Sequence, residues 1–289
     1  MSGLTRFIVM ALFGYLASLF YGKFQDEFSR RPPAPPPIVE RPVPAPQAAP
    51  DAGRGAIADQ ERGLSDLGRG RVNIIETSER RRGQMSSGTA WSVGNDLWAS
   101  ARHVVEDCER LQFASAPWRA VTWAGRHPDA DVAAVRAGFS RPIVPIAAVA
   151  PQPGAPAFAV GYPQRQAGVM HLRLRGVERV KLAGRIGSAA PFRAYVWQVD
   201  RYPKIRGGSE TVGGISGGPV IDRNGQAVGV AIFEAPRRQA LGSVSLSDLR
   251  RTVGPTAAPG ERIATDPSAF DALGRRLLET GAVVQVLCR

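Results

Sequence analysis

Between residues 72 and 233 the apolar residues come in short runs, each cut off by Gly, Pro, Asn or Asp. Runs of this kind, bounded by turn formers, read as β-strands rather than helices. Candidate strands fall at 72–77, 88–93, 97–101, 111–114, 120–124, 132–137, 157–161, 171–177, 194–199, 219–222 and 227–233. None of these runs is long and helically periodic. Asp222-Arg223-Asn224-Gly225 separates two of them, and Asn-Gly readily takes the positive φ angles of a tight hairpin turn. The middle of the chain is therefore expected to be all-β, and a length of 289 residues admits two domains or one larger β unit.

Set into this pattern is Gly214-Ile215-Ser216-Gly217-Gly218-Pro219. A serine hydroxyl is a weak nucleophile until a base takes its proton and N–H donors await the oxyanion. Flanking glycines let the backbone aim several N–H groups at one spot. A base and an acid lie upstream. His103 ends a strand-like stretch, and Asp131 stands at the mouth of the apolar run 132–135, with Asp129 as its competitor. Histidine can take and return a proton near neutrality, and a buried carboxylate fixes its tautomer. His127 sits in a His-Pro-Asp turn and His171 in an alternating strand, so His103 is the expected base. The order His, Asp, Ser is one of three that build this triad geometry.

Five segments together resemble the trypsin-like (chymotrypsin-fold) serine peptidases, especially the bacterial HtrA and DegP type. They are Gly88-Thr89-Ala90-Trp91-Ser92, Ala101-Arg102-His103-Val104-Val105, Asp129-Ala130-Asp131-Val132-Ala133, Phe158 to Pro163, and Gly214 to Pro219 followed by Asn224-Gly225. The resemblance covers about residues 70–250. It implies two six-stranded antiparallel β-barrels, about 70–150 and 151–253, with His103 and Asp131 on the first and Ser216 on the second. It also implies an oxyanion hole from the N–H groups of Gly214 and Ser216, and no cofactor or metal. One departure is Ile215, where the family carries Asp or Asn; isoleucine cannot pair with a newly cut N-terminus. In trypsin-like enzymes the residue six before the nucleophile lies in the specificity pocket. Here it is Glu210, which would select basic side chains. The apolar wall Val230-Ala231-Ile232-Phe233 instead favours small or aliphatic ones, and that preference is the one expected. The same wall would pair with an extended substrate as an added strand.

The ends differ from the middle. Residues 7–21, after Arg6 and before Lys23, are almost wholly apolar, and residues 4–24 suit an uncleaved membrane anchor better than a cleaved signal peptide. Proline-rich sequence follows, and residues 25–69 are expected to form a spacer. Residues 267–280 have apolar residues at three- and four-residue steps and read as a helix, with a final strand after Gly281. The tail 254–289 is too short for the PDZ domain common in HtrA relatives. The only cysteines, Cys108 and Cys288, can pair in an oxidising compartment; a buried Cys108 with a free Cys288 is equally compatible. The net charge of +12 comes from scattered arginines with no nucleic-acid motif, so surface solubility is its expected role.

The expected function is a membrane-tethered serine endopeptidase acting on protein or peptide substrates, held at the bacterial inner membrane and facing the periplasm. The alternative is a non-catalytic relative that keeps the barrels as a peptide-binding scaffold.

Overall fold

In a computed structural model of the chain, the structure describes residues 53–76, 85–116, 119–184, 187–188, 190–207, 211–255 and 267–289. The expected anchor at 4–24 and the Pro-rich run lie outside these residues. Among the described residues, no helix is long and apolar enough to cross a membrane.

Thirteen strands among the described residues form two sheets. In the first sheet, β2 (Ser86–Gly94) pairs with β3 (Leu97–Ser100), which pairs with β6 (Ala133–Arg136) and then β5 (Thr122–Arg126). On its other side β2 pairs with β13 (Val283–Cys288), which also pairs with β4 (Leu111–Phe113). The aromatic rings of Trp98, Phe113 and Phe139 fill this sheet's interior, Trp98 lying 4.8 Å from Phe113 and 5.5 Å from Phe139.

The second sheet closes into a ring. Its order is β8 (Gly168–Ala183), β7 (Pro156–Gly161), β10 (Pro219–Asp222), β11 (Ala227–Ala235), β12 (Ala240–Val244) and β9 (Phe192–Arg201), and β9 pairs back onto β8. The expectation of two six-stranded antiparallel barrels thus meets one closed six-stranded ring and one open six-stranded sheet. A seventh strand, β1 (Val72–Glu76), adds to the ring by parallel pairing with β8. It was expected among the strands of the first barrel. The preceding turn sends it the other way, because Leu67 N–H donates to Val177 O and Val177 N–H to Ser65 O.

Part of the expected spacer is folded. Helix α1 (Gly53–Arg62) buries Ile57 and Glu61. The Glu61 carboxylate accepts from Tyr195 Oη (2.5 Å), Ser247 N–H (3.0 Å) and Ser247 Oγ (2.5 Å). A buried carboxylate is tolerable only with donors of this kind. They come from β9 and from helix α3 (Leu246–Val253), which Ser245 caps by accepting the Asp248 N–H. Part of a stretch read as linker is therefore anchored on the second barrel by the buried Glu61.

The tail, too, belongs to the fold. Helix α4 (Pro267–Glu279) lays Phe270 against Phe158 of the second barrel, ring centroids 5.1 Å apart. His171 on β8 faces Asp271 of this helix at 2.9 Å, with Arg201 beside both. The chain then turns at Gly281 and runs as β13 through the middle of the first sheet. Cys108 and Cys288 are joined as a disulfide, their Cα atoms 5.3 Å apart across 180 residues of sequence. A bridge closing so long a loop stabilises by about 2–4 kcal/mol, mainly by restricting the unfolded chain.

Candidate active site

Strand β3 ends at Ser100, and the four-residue helix α2 (Arg102–Val105) follows at once. This places His103 at the rim of the first sheet, with its side chain 25% exposed. Asp131 lies just before β6, which pairs with β3, so the two ends come together through sheet register. The Asp131 side chain is 1% exposed. Its Oδ1 accepts the His103 N–H at 2.9 Å and its Oδ2 faces His103 Nδ1 at 2.6 Å. With Nδ1–H donated to the carboxylate, the lone pair of the neutral imidazole sits on Nε2. Asp129 points elsewhere, accepting the Ala190 N–H at 3.0 Å.

Ser216 reaches the same rim from the second barrel. Its Oγ–H donates to Ile232 O at 3.4 Å, and its carbonyl accepts the Thr89 N–H at 2.9 Å. Gly217 takes φ +89, and a Cβ there would collide with Thr89 O and Ser100 Oγ. Only glycine allows this approach of the serine loop to the strand end that leads into His103.

Two peptide planes around Ser216 are held from behind. Gly213 O accepts the Gln164 N–H at 2.6 Å, and Ile215 O accepts the Gly218 N–H at 2.9 Å. Since N–H and C=O point opposite ways in a trans peptide, the N–H groups of Gly214 and Ser216 face away from those partners. Among the described residues, no acceptor takes either of them. Gly214 itself sits at φ +101, where a side chain would meet Tyr162 O. The Gly214 carbonyl accepts from Thr89 Oγ1 at 2.8 Å, and Thr89 Oγ1 in turn accepts the Tyr162 N–H at 3.1 Å. Ile215, the departure from the family pattern, is 3% exposed and packs in the hydrophobic core. Its N–H donates to Val212 O at 3.0 Å. Apolar burial here holds the loop in place of an ionic pair.

Residues 88–230 match the family model described as the trypsin-like peptidase domain. The chain carries a trypsin-like peptidase domain. Its class is that of the serine endopeptidases. The Rv3671c protease of M. tuberculosis in its active form is similar in fold, with a TM-score of 0.50 at 20% identity, covering 82% of this chain and 99% of that one. Its inactive form aligns with a TM-score of 0.46 at 19% identity, over 75% of this chain and 100% of that one. The HtrA-type protease AlgW with a decapeptide aligns with a TM-score of 0.41 at 12% identity, over 67% of this chain and 52% of that one. A search of curated protein sequences finds no match.

Other expected site residues are placed differently. Glu210 lies outside the described residues. Val230 and Ala231 are fully buried in the barrel, and both backbone groups of Ala231 are used: it donates to Gly218 O and accepts from Gly217 N–H. Ala231 therefore supports the peptidase domain's serine loop, and Val230 is paired with Pro219 inside the barrel. Ile232 lies in the irregularity between Ala231 and Phe233, where pairing with β12 breaks. Of the expected wall, Ile232 borders the serine, through its carbonyl.

Two residues of this peptidase were not foreseen. Thr89 ties both barrels to the serine loop, as above. His127 is 4% exposed and its Nδ1 accepts the N–H groups of Asp129 (3.1 Å) and Ala130 (2.8 Å). It thereby shapes the turn that delivers Asp131. Burial, and then the Arg251 guanidinium beside it, push its pKa down to about 4, with Asp129 acting weakly the other way. Asp248 also faces the ring, at 3.4 Å from Nε2.

A folded-state pKa below the usual 6.5 means that the unfolded chain takes up this proton first. His127 thus contributes stability that is complete above pH 6.5 and is lost as pH falls toward about 4. His127→Asn retains an acceptor near the Nδ1 position but cannot titrate in this range. Denaturant unfolding of both proteins from pH 7.5 to 4 should show a shallower loss for the variant. Equal slopes would contradict this assignment.

Proposed function

We propose that this protein is a membrane-tethered serine endopeptidase in which Ser216 is the nucleophile, His103 its base and Asp131 the orienting acid. The observation that carries the reading is the buried Asp131 carboxylate, which binds both the backbone and the ring of His103. In this reading Nε2, the ring nitrogen opposite the carboxylate, is the basic atom on the rim that the serine loop also reaches. In this reading Nε2 takes the Ser216 proton as Oγ attacks the substrate carbonyl carbon. The negative charge that develops on the carbonyl oxygen is met by the N–H groups of Gly214 and Ser216. The imidazolium, supported by Asp131, then gives its proton to the leaving amine as the C–N bond breaks. Water repeats the sequence on the acyl-enzyme, restoring the serine and releasing the acid.

Casein hydrolysis by variants tests the roles. Ser216→Ala or His103→Ala should lower kcat on the order of 10⁶-fold, and Asp131→Asn about 10⁴-fold. Unchanged hydrolysis by Ser216→Ala would refute the assignment.

The tether rests on the apolar run at 7–21, within the anchor segment 4–24, and the proline-rich sequence after it. Together they support a location at the bacterial inner membrane with the peptidase facing the periplasm. Alkaline extraction of membranes should leave the full-length chain in the pellet. Release of a shortened, soluble form would show that the segment is cleaved as a signal peptide.

A further inference from the structure

Glu234 stands on β11 two residues beyond Ile232, whose carbonyl receives the Ser216 hydroxyl. Two residues of extended strand span about 6.6 Å. The carboxylate also reaches across to the chain segment that leads into Ser216, since Oε2 accepts the Val212 N–H at 2.9 Å. Glu234 therefore bridges the two backbones that flank Ser216, one carrying residues 212–216 and the other residues 232–234. A side chain next to a carbonyl attacked by Ser216 has to lie between those two backbones.

The other carboxylate oxygen, Oε1, is buried and has no hydrogen-bond partner among the described residues. A buried acceptor with no donor is uncommon, because its loss of hydration goes uncompensated. Burial raises the Glu234 carboxyl above the usual carboxylate range, against the pull of the Val212 N–H. The Tyr202 phenol is raised as well, mainly by its own burial and further by the negative charge of Glu234 nearby. Among the described residues, Oε1 thus has no donor, charged or neutral.

We propose that Glu234 is the residue that determines specificity, selecting a substrate with arginine or lysine on the acyl side of the cleaved bond. The proposal rests on Ser216 being the nucleophile. A guanidinium or ammonium supplies the donor that Oε1 lacks, and charge-assisted bonds in a poorly hydrated site are the strong ones. A leucine or valine at the same place would leave Oε1 both dry and unpaired. The preference expected from the apolar wall is thereby reversed, since Val230 and Ala231 are enclosed in the barrel.

Matched peptides differing only in Arg, Lys, Gln or Leu before the cleaved bond test this on the full-length protein. The expected result is cleavage after Arg and Lys at about 100-fold higher kcat/KM than after Leu, with Glu234→Gln cutting the Arg-to-Leu ratio by about the same factor. A ratio measured within one sample is independent of how much of the variant is folded. A fluorophosphonate probe without a side chain is applied to the wild type in parallel. Labelling together with a Leu preference, or an Arg preference that survives in Glu234→Gln, overturns the role of Glu234 and leaves the nucleophile standing. A wild type that neither labels nor cleaves overturns both.

Discussion

Everything at the rim depends on how Thr89 joins the two sheets. Its N–H holds the Ser216 carbonyl, its hydroxyl holds the Gly214 carbonyl and receives the Tyr162 N–H, and its own carbonyl receives Ser100 Oγ at 2.7 Å. One fully buried residue thus connects the strand beside His103, the end of β7 and the serine loop. Removing the hydroxyl would leave the half-buried Gly214 carbonyl and Tyr162 N–H without this partner, at up to about 1–3 kcal/mol each. The neighbouring glycines are needed for the same reason, because the two backbones approach too closely for side chains.

The chain's ends serve this joint. Helix α1 and β1 fasten the N-terminal side onto the second barrel through Glu61 and parallel pairing with β8. The C-terminal helix packs on the same barrel, and its strand β13 crosses into the first sheet beside β2. Since β2 carries Thr89, and Gln285 of β13 pairs directly with it, the tail braces the strand on which the serine loop hangs. The Cys108–Cys288 bond then fixes the end of β13 close to helix α2 and His103.

Much of this was legible in the sequence wherever a local pattern stated a physical need. Apart from β12, the strands of both sheets read from short apolar runs, and the hairpin at Asn224-Gly225 from its turn chemistry. The run Gly214 to Pro219 was legible because positive φ and close approach demand glycine. What escaped was set by contacts distant in the chain. The pairing of β1 with β8 depends on a turn at Leu67, and the burial of Glu61 on partners at Tyr195 and Ser247. β12 was missed because Ala240-Leu241-Gly242-Ser243-Val244 has little strand character of its own. Its place comes from pairing with β9 and β11 on either side. His127 looked like an ordinary turn histidine, since nothing local reveals that Nδ1 accepts two backbone N–H groups. Val230 and Ala231 were read as a substrate wall because alternation in sequence does not tell which backbone groups a neighbouring loop has taken.

The central claim is that His103, oriented by Asp131, makes the hydroxyl of Ser216 a nucleophile. Labelling the purified protein with a fluorophosphonate and locating the adduct by peptide mass spectrometry tests it most directly. The expected result is one adduct per chain, on the peptide containing Ser216, and none in His103→Ala. An adduct on another serine, or equal labelling of Ser216 without His103, would contradict it.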